Sequence, residues 1–141
     1  MKGKIRSFGV SDDFFMYDDS PSARVGIYYY ENGAYPRKPK VIYDRMNSSF
    51  FSLNIDEIPK EVYTASKCFH TTGITLALSP QIRETTIEMI KRFKEAGTLV
   101  SFDVNFRGNL WSGDEAESVS LRFFRMLISF SVLRIQHALP S

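Results

Sequence analysis

The sequence predicts an α/β fold from two patterns. Between Cys68 and Val104 the residues read as strand, helix and strand, an order that requires a parallel strand pair joined by a right-handed crossover. Upstream, two β-rich runs, Arg24–Tyr30 and Val41–Tyr43, lie on either side of a segment with turn-forming glycine and proline. These runs predict an antiparallel hairpin with an irregular tip.

The predicted hairpin is aromatic along its first strand and basic at its tip. Side chains alternate between the two faces of a strand, so Tyr28 and Tyr30 are expected to share one face. The tip carries three cations, which as a rule form a solvated loop, with a role in covering a bound substrate as the weaker alternative: Arg37, Lys38 and Lys40.

The helix between the two parallel strands has clear signals at both ends. Ser79 is a suitable N-cap and Pro80 suits the first helical position, while Gly97 favours termination. Glu88 and Arg92 form an i,i+4 pair in the favoured orientation, which contributes about 0.3 kcal/mol. The face that follows helical spacing consists of Ile82, Thr86, Met89, Ile90 and Phe93.

Shorter elements surround this helix. The two strands are predicted over Cys68–Thr71 and Leu99–Val104, and a short helix over Ile58–Ser66. The end of a frayed helix is expected over Lys4–Val10, where Gly9 stops it.

Composition limits the function classes. The chain has 141 residues, 43% of them hydrophobic, which suits one globular unit. With a net charge of only +2, the protein is not expected to have the concentrated basic surface of a nucleic-acid binder. The single cysteine excludes an internal disulfide and favours a reducing compartment. The most hydrophobic segment, Met126–Ile135, is too short to span a bilayer. We therefore expect a cytoplasmic protein with neither nucleic acid nor membrane as a partner.

The last segment, residues 117–141, has an unusual composition. After Glu117 there is no acidic residue, and leucine, serine and arginine, the amino acids with the most codons, are frequent. With permissible codons, a neighbouring reading frame of Arg125–Ser141 can encode a strand-and-turn sequence, so we expect an aberrant, frame-shifted tail. An amphipathic C-terminal helix is the alternative, and sequencing the gene would distinguish the two.

Four stretches, in a fixed order, carry a family likeness. The most specific is Asp103-Val104-Asn105-Phe106-Arg107 followed by Leu110-Trp111, which is similar to a D-x-N-x-R…LW stretch. The other stretches are Arg24–Gly33, Val41–Phe50 and Gly73–Pro80. Together they resemble the ribokinase-like (PfkB) carbohydrate kinases, in particular the 2-keto-3-deoxygluconate kinases, over roughly residues 6–116.

The resemblance implies a fold and an activity. The fold would be part of a ribokinase-like three-layer α/β sheet within residues 1–116, with a β-hairpin lid at about 24–50 and a βαβ unit at about 68–107. The activity would be transfer of the γ-phosphoryl group of ATP, with Mg²⁺, to a hydroxyl of 2-keto-3-deoxygluconate. Kinases of this group are much longer than this chain, and their lid hairpins can pair two subunits into a homodimer.

Two motifs of the family have no counterpart in the sequence. These are the sugar-binding Gly-Gly-x-x-x-Asn turn and the Gly-Ala-Gly-Asp turn, whose amides form the anion hole and whose aspartate is the base. We therefore expect the chain to be an internal segment of such a kinase, incomplete at both ends and inactive alone. It would hold no catalytic residue and no metal ligand, so that ATP and Mg²⁺ belong to the parent enzyme.

The resemblance also implies four substrate contacts. Arg45 is similar to a residue that grips the carboxylate region, for which a planar guanidinium is suited. Tyr28 and Tyr43 resemble lid tyrosines, whose hydroxyls reach the substrate while their rings exclude water. Arg107, just past a predicted parallel strand, resembles a residue that contacts the substrate or the transferred phosphate.

Each of these residues has a structural alternative. Arg45 could pair with Asp44 or Glu31, and Arg107 with Asp103 or Asp114. The tyrosines could simply pack across the hairpin, and Tyr30 could take the place of Tyr28. Two further residues of the same motif are expected to support Arg107 or order water near a magnesium ion: Asp103 and Asn105.

Other polar residues are interpreted as structural. His70 is expected to be a satisfied strand histidine, because no second metal-type ligand lies at a useful spacing. Cys68 is expected in the core. Competing functions remain open: a ribose, fructose or nucleoside kinase of the same group, a non-catalytic remnant that binds a sugar acid without ATP, or a degraded pseudogene product.

Overall fold

The structure, a computed structural model, describes residues 2–128. The chain divides into two compact units, Met1–Leu53 and Asn54–Ser141. The first holds α1 (Lys2–Arg6), β1 (Ile27–Glu31) and β2 (Lys40–Asp44). The second holds α2 (Glu61–Ala65), β3 (Cys68–Thr72), α3 (Gly73–Leu78), α4 (Pro80–Glu95), β4 (Leu99–Asp103) and α5 (Gly113–Ile128). These elements confirm the predicted α/β class.

The first unit is built around the predicted hairpin. Strands β1 and β2 pair antiparallel, with Tyr28 opposite Tyr43 and Tyr30 opposite Val41. The tip is tightly closed at Gly33, where a Cβ atom would lie 2.5 Å from the backbone nitrogen of Pro39. Every residue of both strands is exposed. The hairpin is therefore stabilised by its cross-strand contacts and by the turn that follows β2.

The second unit contains the predicted parallel pair. Strand β3 pairs with β4 from Cys68–Leu99 to Thr72–Asp103. Successive residues alternate in burial, with Thr71 and Phe102 buried and Cys68 exposed. The expectation that Cys68 lies in the core is therefore wrong. Its side chain lies on the face of the strand pair opposite to the one that the core covers.

Helix α4 begins and ends as its sequence predicts. The Oγ atom of Ser79 accepts a hydrogen bond from the backbone N–H of Ile82 at 3.2 Å, and Gly97 follows the helix with a φ of 78°. Its buried face carries Ile90 and Phe93, which are 0% and 2% exposed. The ring of Phe93 stacks on Phe69 of β3 with a centroid separation of 4.3 Å, which fixes the helix against the sheet.

Helix α5 completes the core of the second unit. The ring of Phe123 packs on Phe102 of β4 with a centroid separation of 4.1 Å. Arg83 of α4 donates a hydrogen bond to the carbonyl oxygen of Leu76 at 2.9 Å and another to Glu115 of α5 at 2.7 Å. Three helices are thus tied together by one guanidinium group.

The structure describes only the first part of the predicted tail, residues 117–141. Its first part, residues 117–128, continues helix α5, as the alternative of a C-terminal helix predicts. Residues 129–141 lie outside the described residues, and so does most of the segment for which a changed reading frame is predicted. That hypothesis stays a prediction.

Several element boundaries differ from the predicted ones by a few residues. Helix α2 begins at Glu61 rather than Ile58. Ile58 instead ends a 3-10 turn, in which its backbone N–H donates a hydrogen bond to the carbonyl of Ile55. Helix α3 was not predicted at all. Over residues 2–128 none of the helices has the length and apolar character needed to cross a membrane.

Candidate functional site

The hairpin presents an aromatic face. Because Tyr28 and Tyr43 are directly opposite, their side chains leave the same face, with ring centroids 6.3 Å apart and planes tilted by 45°. Both rings are exposed, by 67% and 51%. Two phenols side by side offer an apolar surface with two hydroxyl groups at its edge.

Arg45 extends this face at one end. It follows β2, and its guanidinium carbon lies 4.7 Å from the centroid of the Tyr43 ring, within the range of a cation–π contact. The sequence left open a pairing of Arg45 with Asp44 or Glu31, but Asp44 pairs with Arg24 instead. Among residues 2–128 Arg45 has no carboxylate partner, so its charge is open to an anionic ligand.

The turn that carries Arg45 is held by the segment that precedes β1. Arg24 donates a hydrogen bond from its backbone N–H to the Oγ atom of Ser49 at 2.9 Å, and the backbone N–H of Ser49 donates to the carbonyl of Arg24 at 2.8 Å. Hydrogen bonds from the hydroxyls of Ser49 and Ser20 hold the pKa of Asp18 below its ordinary value. Sequence reasoning had no role for Arg24, because its partners are about 20 residues away in the chain.

The loop after β4 carries the other predicted residues. The Oδ1 atom of Asp103 accepts a hydrogen bond from the backbone N–H of Asn105 at 3.0 Å, and Asn105 has a φ of 35°. The backbone N–H of Leu110 donates to the carbonyl of Arg107 at 2.9 Å, which closes the next turn. Asp103 and Asn105 therefore shape the loop from which Arg107 projects.

Arg107 itself is exposed. The alternative of a salt bridge with Asp103 or Asp114 is not realised, since within the described ranges Arg107 forms no ion pair. Trp111 anchors the far end of the loop, because it is 6% exposed and lies in the core of the second unit. The loop thus has a fixed start, a fixed end and a free cation between them.

His70 matches its interpretation as a paired strand histidine. Its Nδ1 atom lies 3.0 Å from the Oγ atom of Ser101, the residue opposite it on β4. No three histidine, cysteine or carboxylate side chains come together as a metal site anywhere in residues 2–128.

The predicted site residues therefore form two groups. Tyr28, Tyr43 and Arg45 lie together on the hairpin of the first unit. Asp103, Asn105 and Arg107 share one loop of the second unit. That the two groups converge on one ligand stays a prediction.

Comparisons with known proteins identify related sequences. No protein-family model matches the chain. The 2-dehydro-3-deoxygalactonokinase of Haloferax volcanii is 39% identical over 86% of this chain and 37% of its own length. A fructokinase of Solanum tuberosum is 30% identical over 84% of this chain and 35% of its own length.

Solved structures show the same relationship. The 2-dehydro-3-deoxygluconokinase of Thermotoga maritima matches 86% of this chain and 36% of its own with a TM-score of 0.75 and 33% identity. A PfkB family carbohydrate kinase of Listeria grayi matches 86% of this chain and 37% of its own with a TM-score of 0.75 and 30% identity.

A further structure contains a nucleotide. A sugar kinase of Pyrococcus horikoshii in complex with ATP matches 83% of this chain and 37% of its own with a TM-score of 0.67 and 25% identity. The chain spans little more than a third of the length of these proteins. Its homologues and structural neighbours are carbohydrate kinases of the PfkB family, and the chain is similar to part of them.

Proposed function

We propose that this chain forms the sugar-acid-binding part of a kinase that phosphorylates 2-dehydro-3-deoxygluconate (2-keto-3-deoxygluconate) or its galactonate epimer. Two relatives whose names specify these substrates support the choice, one at 39% and one at 33% identity. Both substrates combine a carboxylate, a keto group and several hydroxyls, so they need a fixed cation and several hydrogen-bonding groups.

The observation that carries the proposal is the position of Arg45. Its guanidinium lies over the ring of Tyr43, with Tyr28 on the adjacent strand. The cation–π contact orients the planar group without neutralising it. A carboxylate could then accept two parallel charge-assisted hydrogen bonds from Arg45, while the tyrosine hydroxyls contact the remaining polar groups and the rings exclude water.

Arg107 is the candidate cation of the second unit. The loop after β4 holds it at the carboxyl end of a parallel strand, where open α/β sheets bind ligands. There it would contact the sugar acid or offset the charge of the phosphoryl group during transfer. Asp103 supports this role by fixing the backbone at Asn105.

We further propose that the chain alone transfers no phosphate. Phosphoryl transfer depends on positioning and on preorganised charge stabilisation, and loss of one such donor costs a factor of about 100–1,000. The Gly-Ala-Gly-Asp turn expected to supply the anion hole and the base is not in the sequence. ATP and Mg²⁺ would bind to the parent kinase. A cytoplasmic location and a homodimer through the hairpin stay predictions.

Isothermal titration calorimetry tests the binding proposal. The 141-residue chain is titrated with 2-dehydro-3-deoxygluconate, with its galactonate epimer and with gluconate, in the presence and absence of ATP. We expect binding that Arg45→Ala weakens at least tenfold, the effect of one lost charge-assisted hydrogen bond of about 1.5 kcal/mol. Arg37→Ala, at the tip of the same hairpin, is the matched control and should leave the affinity unchanged.

The nearest competing function is that of a fructokinase, which the Solanum tuberosum relative favours. Fructose has no carboxylate, so Arg45→Ala would then leave its binding unchanged. Fructose binding with no measurable affinity for either sugar acid would replace the proposed function by this alternative. Affinity for a sugar acid that ATP leaves unaltered would support a binding role without catalysis.

A further inference from the structure

Arg24 makes an unusual set of contacts around the residue that follows β2. Its guanidinium donates a hydrogen bond to the backbone carbonyl oxygen of Met46 and a long one of 3.5 Å to that of Asp44. The same group forms an ion pair with the carboxylate of Asp44. Residues 44 and 46 are the immediate neighbours of Arg45, so one side chain restrains the backbone on both sides of Arg45.

The turn itself depends on such a restraint. It is closed by a hydrogen bond from the backbone N–H of Ser48 to the carbonyl of Arg45 at 3.3 Å, which is long for a bond of this type. Asn47 adopts a φ of 56°, a left-handed conformation that costs energy even for asparagine. Because the turn has one weak closing bond and one strained residue, the contacts from Arg24 are needed to hold its shape.

Gly26, the residue before β1, lies close to Arg45. A Cβ atom on Gly26 would lie 3.2 Å from the Cβ and 3.3 Å from the Cα of Arg45. The backbone at Gly26 thus supports the base of the Arg45 side chain directly. With the backbone held by Arg24 and the side-chain base held at Gly26, the guanidinium of Arg45 is directed towards the ring of Tyr43.

The two arginines differ in their ion pairing. The carboxylate of Asp44 neutralises Arg24, whereas Arg45 has no carboxylate partner within residues 2–128. A pairing of Asp44 with Arg45 would have removed the free cation from the aromatic face. By binding Asp44, Arg24 leaves the charge of Arg45 available.

We propose that Arg24 is a positioning residue for Arg45: it fixes the turn 44–49 and occupies Asp44, so that the Arg45 guanidinium stays over Tyr43 and free for an anionic ligand. This inference rests on the proposed function only in assigning the ligand to Arg45. The positioning itself is a property of the hairpin without ligand.

Nuclear magnetic resonance measures the positioning directly. The ring of Tyr43 shifts the side-chain resonances of Arg45 upfield, and Tyr43→Leu identifies that shift. We expect Arg24→Ala to remove most of it. Arg24→Lys should retain only part, because an ammonium can pair with Asp44 but lacks the fork that reaches two carbonyls. Arg37→Ala is the control, and unchanged amide resonances of residues 27–31 and 40–44 show that the hairpin remains paired.

Calorimetry with 2-dehydro-3-deoxygluconate then separates the two ideas. Arg24→Ala should weaken binding about tenfold, the effect of one lost hydrogen bond of about 1.4 kcal/mol, and should add little in an Arg45→Ala background, because the two residues act through one guanidinium. A full ring-current shift in Arg24→Ala would overturn the positioning role. Loss of the shift in a chain that binds no sugar acid would support the positioning and reject the proposed function instead.

Discussion

The carboxylate of Asp103, the last residue of β4, accepts a hydrogen bond from the backbone N–H of Asn105 at 3.0 Å. Asn105 has a φ of 35°, in the region where asparagine is more readily accommodated than other residues with a side chain. The pair thus turns the chain sharply at the end of the parallel strand. Arg107 projects from the loop that this turn begins.

Substitution of Asn105 tests the importance of this turn. Asn105→Val should destabilise the second unit by about 1–2 kcal/mol, because a β-branched residue is disfavoured at positive φ. Asn105→Gly is the matched control and should leave the free energy of unfolding nearly unchanged, since glycine adopts this conformation freely. Urea unfolding followed by circular dichroism measures both, and equal stability of the two variants would contradict the assignment of strain to this position.

The close approach of Gly73 to Val104, the residue after β4, leads to a second prediction. A Cβ atom at Gly73 would lie 2.0 Å from the carbonyl oxygen of Val104, and backbone on both sides leaves little room for adjustment. Gly73→Ala should therefore destabilise the second unit by about 3 kcal/mol. Gly113→Ala is the control, because nothing lies within 4 Å of its Cβ position. A thermal melt of Gly73→Ala that matches the control would show that the two segments can separate without loss of the fold.

The helix signals in the sequence were sufficient where local chemistry decides the structure. Ser79, Pro80 and Gly97 bound α4 as predicted, because capping depends only on the adjacent backbone. Helix α3 could not be predicted in this way. It has six residues, and it is stabilised by the burial of Leu76 and Ala77 in a core made by distant segments.

In the candidate site, too, contacts between distant segments could not be predicted from the sequence. Strand alternation predicts only that Tyr28 and Tyr30 share a face. The family resemblance groups Tyr28 with Tyr43, which the structure shows directly opposite it. The partner of Asp44 could not be deduced, since several cations were within reach and only the folded turn selects Arg24. Cys68 was misplaced for a related reason. Parallel strands are as a rule buried on both faces, but only one face of β3 is covered in the described part of the chain.

The N-cap of α4 leads to a third prediction. The hydroxyl of Ser79 satisfies the backbone N–H of Ile82, so Ser79→Ala should lower the free energy of unfolding of the second unit by about 1 kcal/mol. Ser118→Ala is the matched control: it lies within α5 and is exposed, where alanine is the better helix former. Urea unfolding should show a loss for the first variant and none for the second. A loss of equal size in both would remove the capping role.

The two units should differ in hydrogen exchange. All residues of β1 and β2 are exposed, and an isolated two-stranded hairpin is marginally stable in water. Helix α4 instead buries Ile82, Ile90 and Phe93. Local opening needs less free energy where few apolar contacts are lost, so amides of β1 and β2 should exchange much faster than those of α4. Mass spectrometry of peptic peptides measures this, and equal protection would mean that the hairpin has a covering partner.

Glu88 gives the second unit a pH dependence. Its carboxylate lies 3.1 Å from the Nε atom of Arg92, and this hydrogen bond, together with Lys91, holds the pKa of Glu88 below its ordinary value of 4.5. A carboxyl whose pKa is lowered on folding stabilises the folded state above its unfolded pKa, and the stabilisation is lost as the pH falls through the folded value.

Wild type should therefore exceed Glu88→Gln in stability by about 0.3–0.5 kcal/mol at pH 7, as expected for an exposed i,i+4 pair. The difference should disappear as the pH falls below 4.5. Urea unfolding between pH 3 and pH 7 measures it, with Glu84→Gln on the same helix as the control, and a difference that persists at the lowest pH would show that the pair contributes nothing through charge.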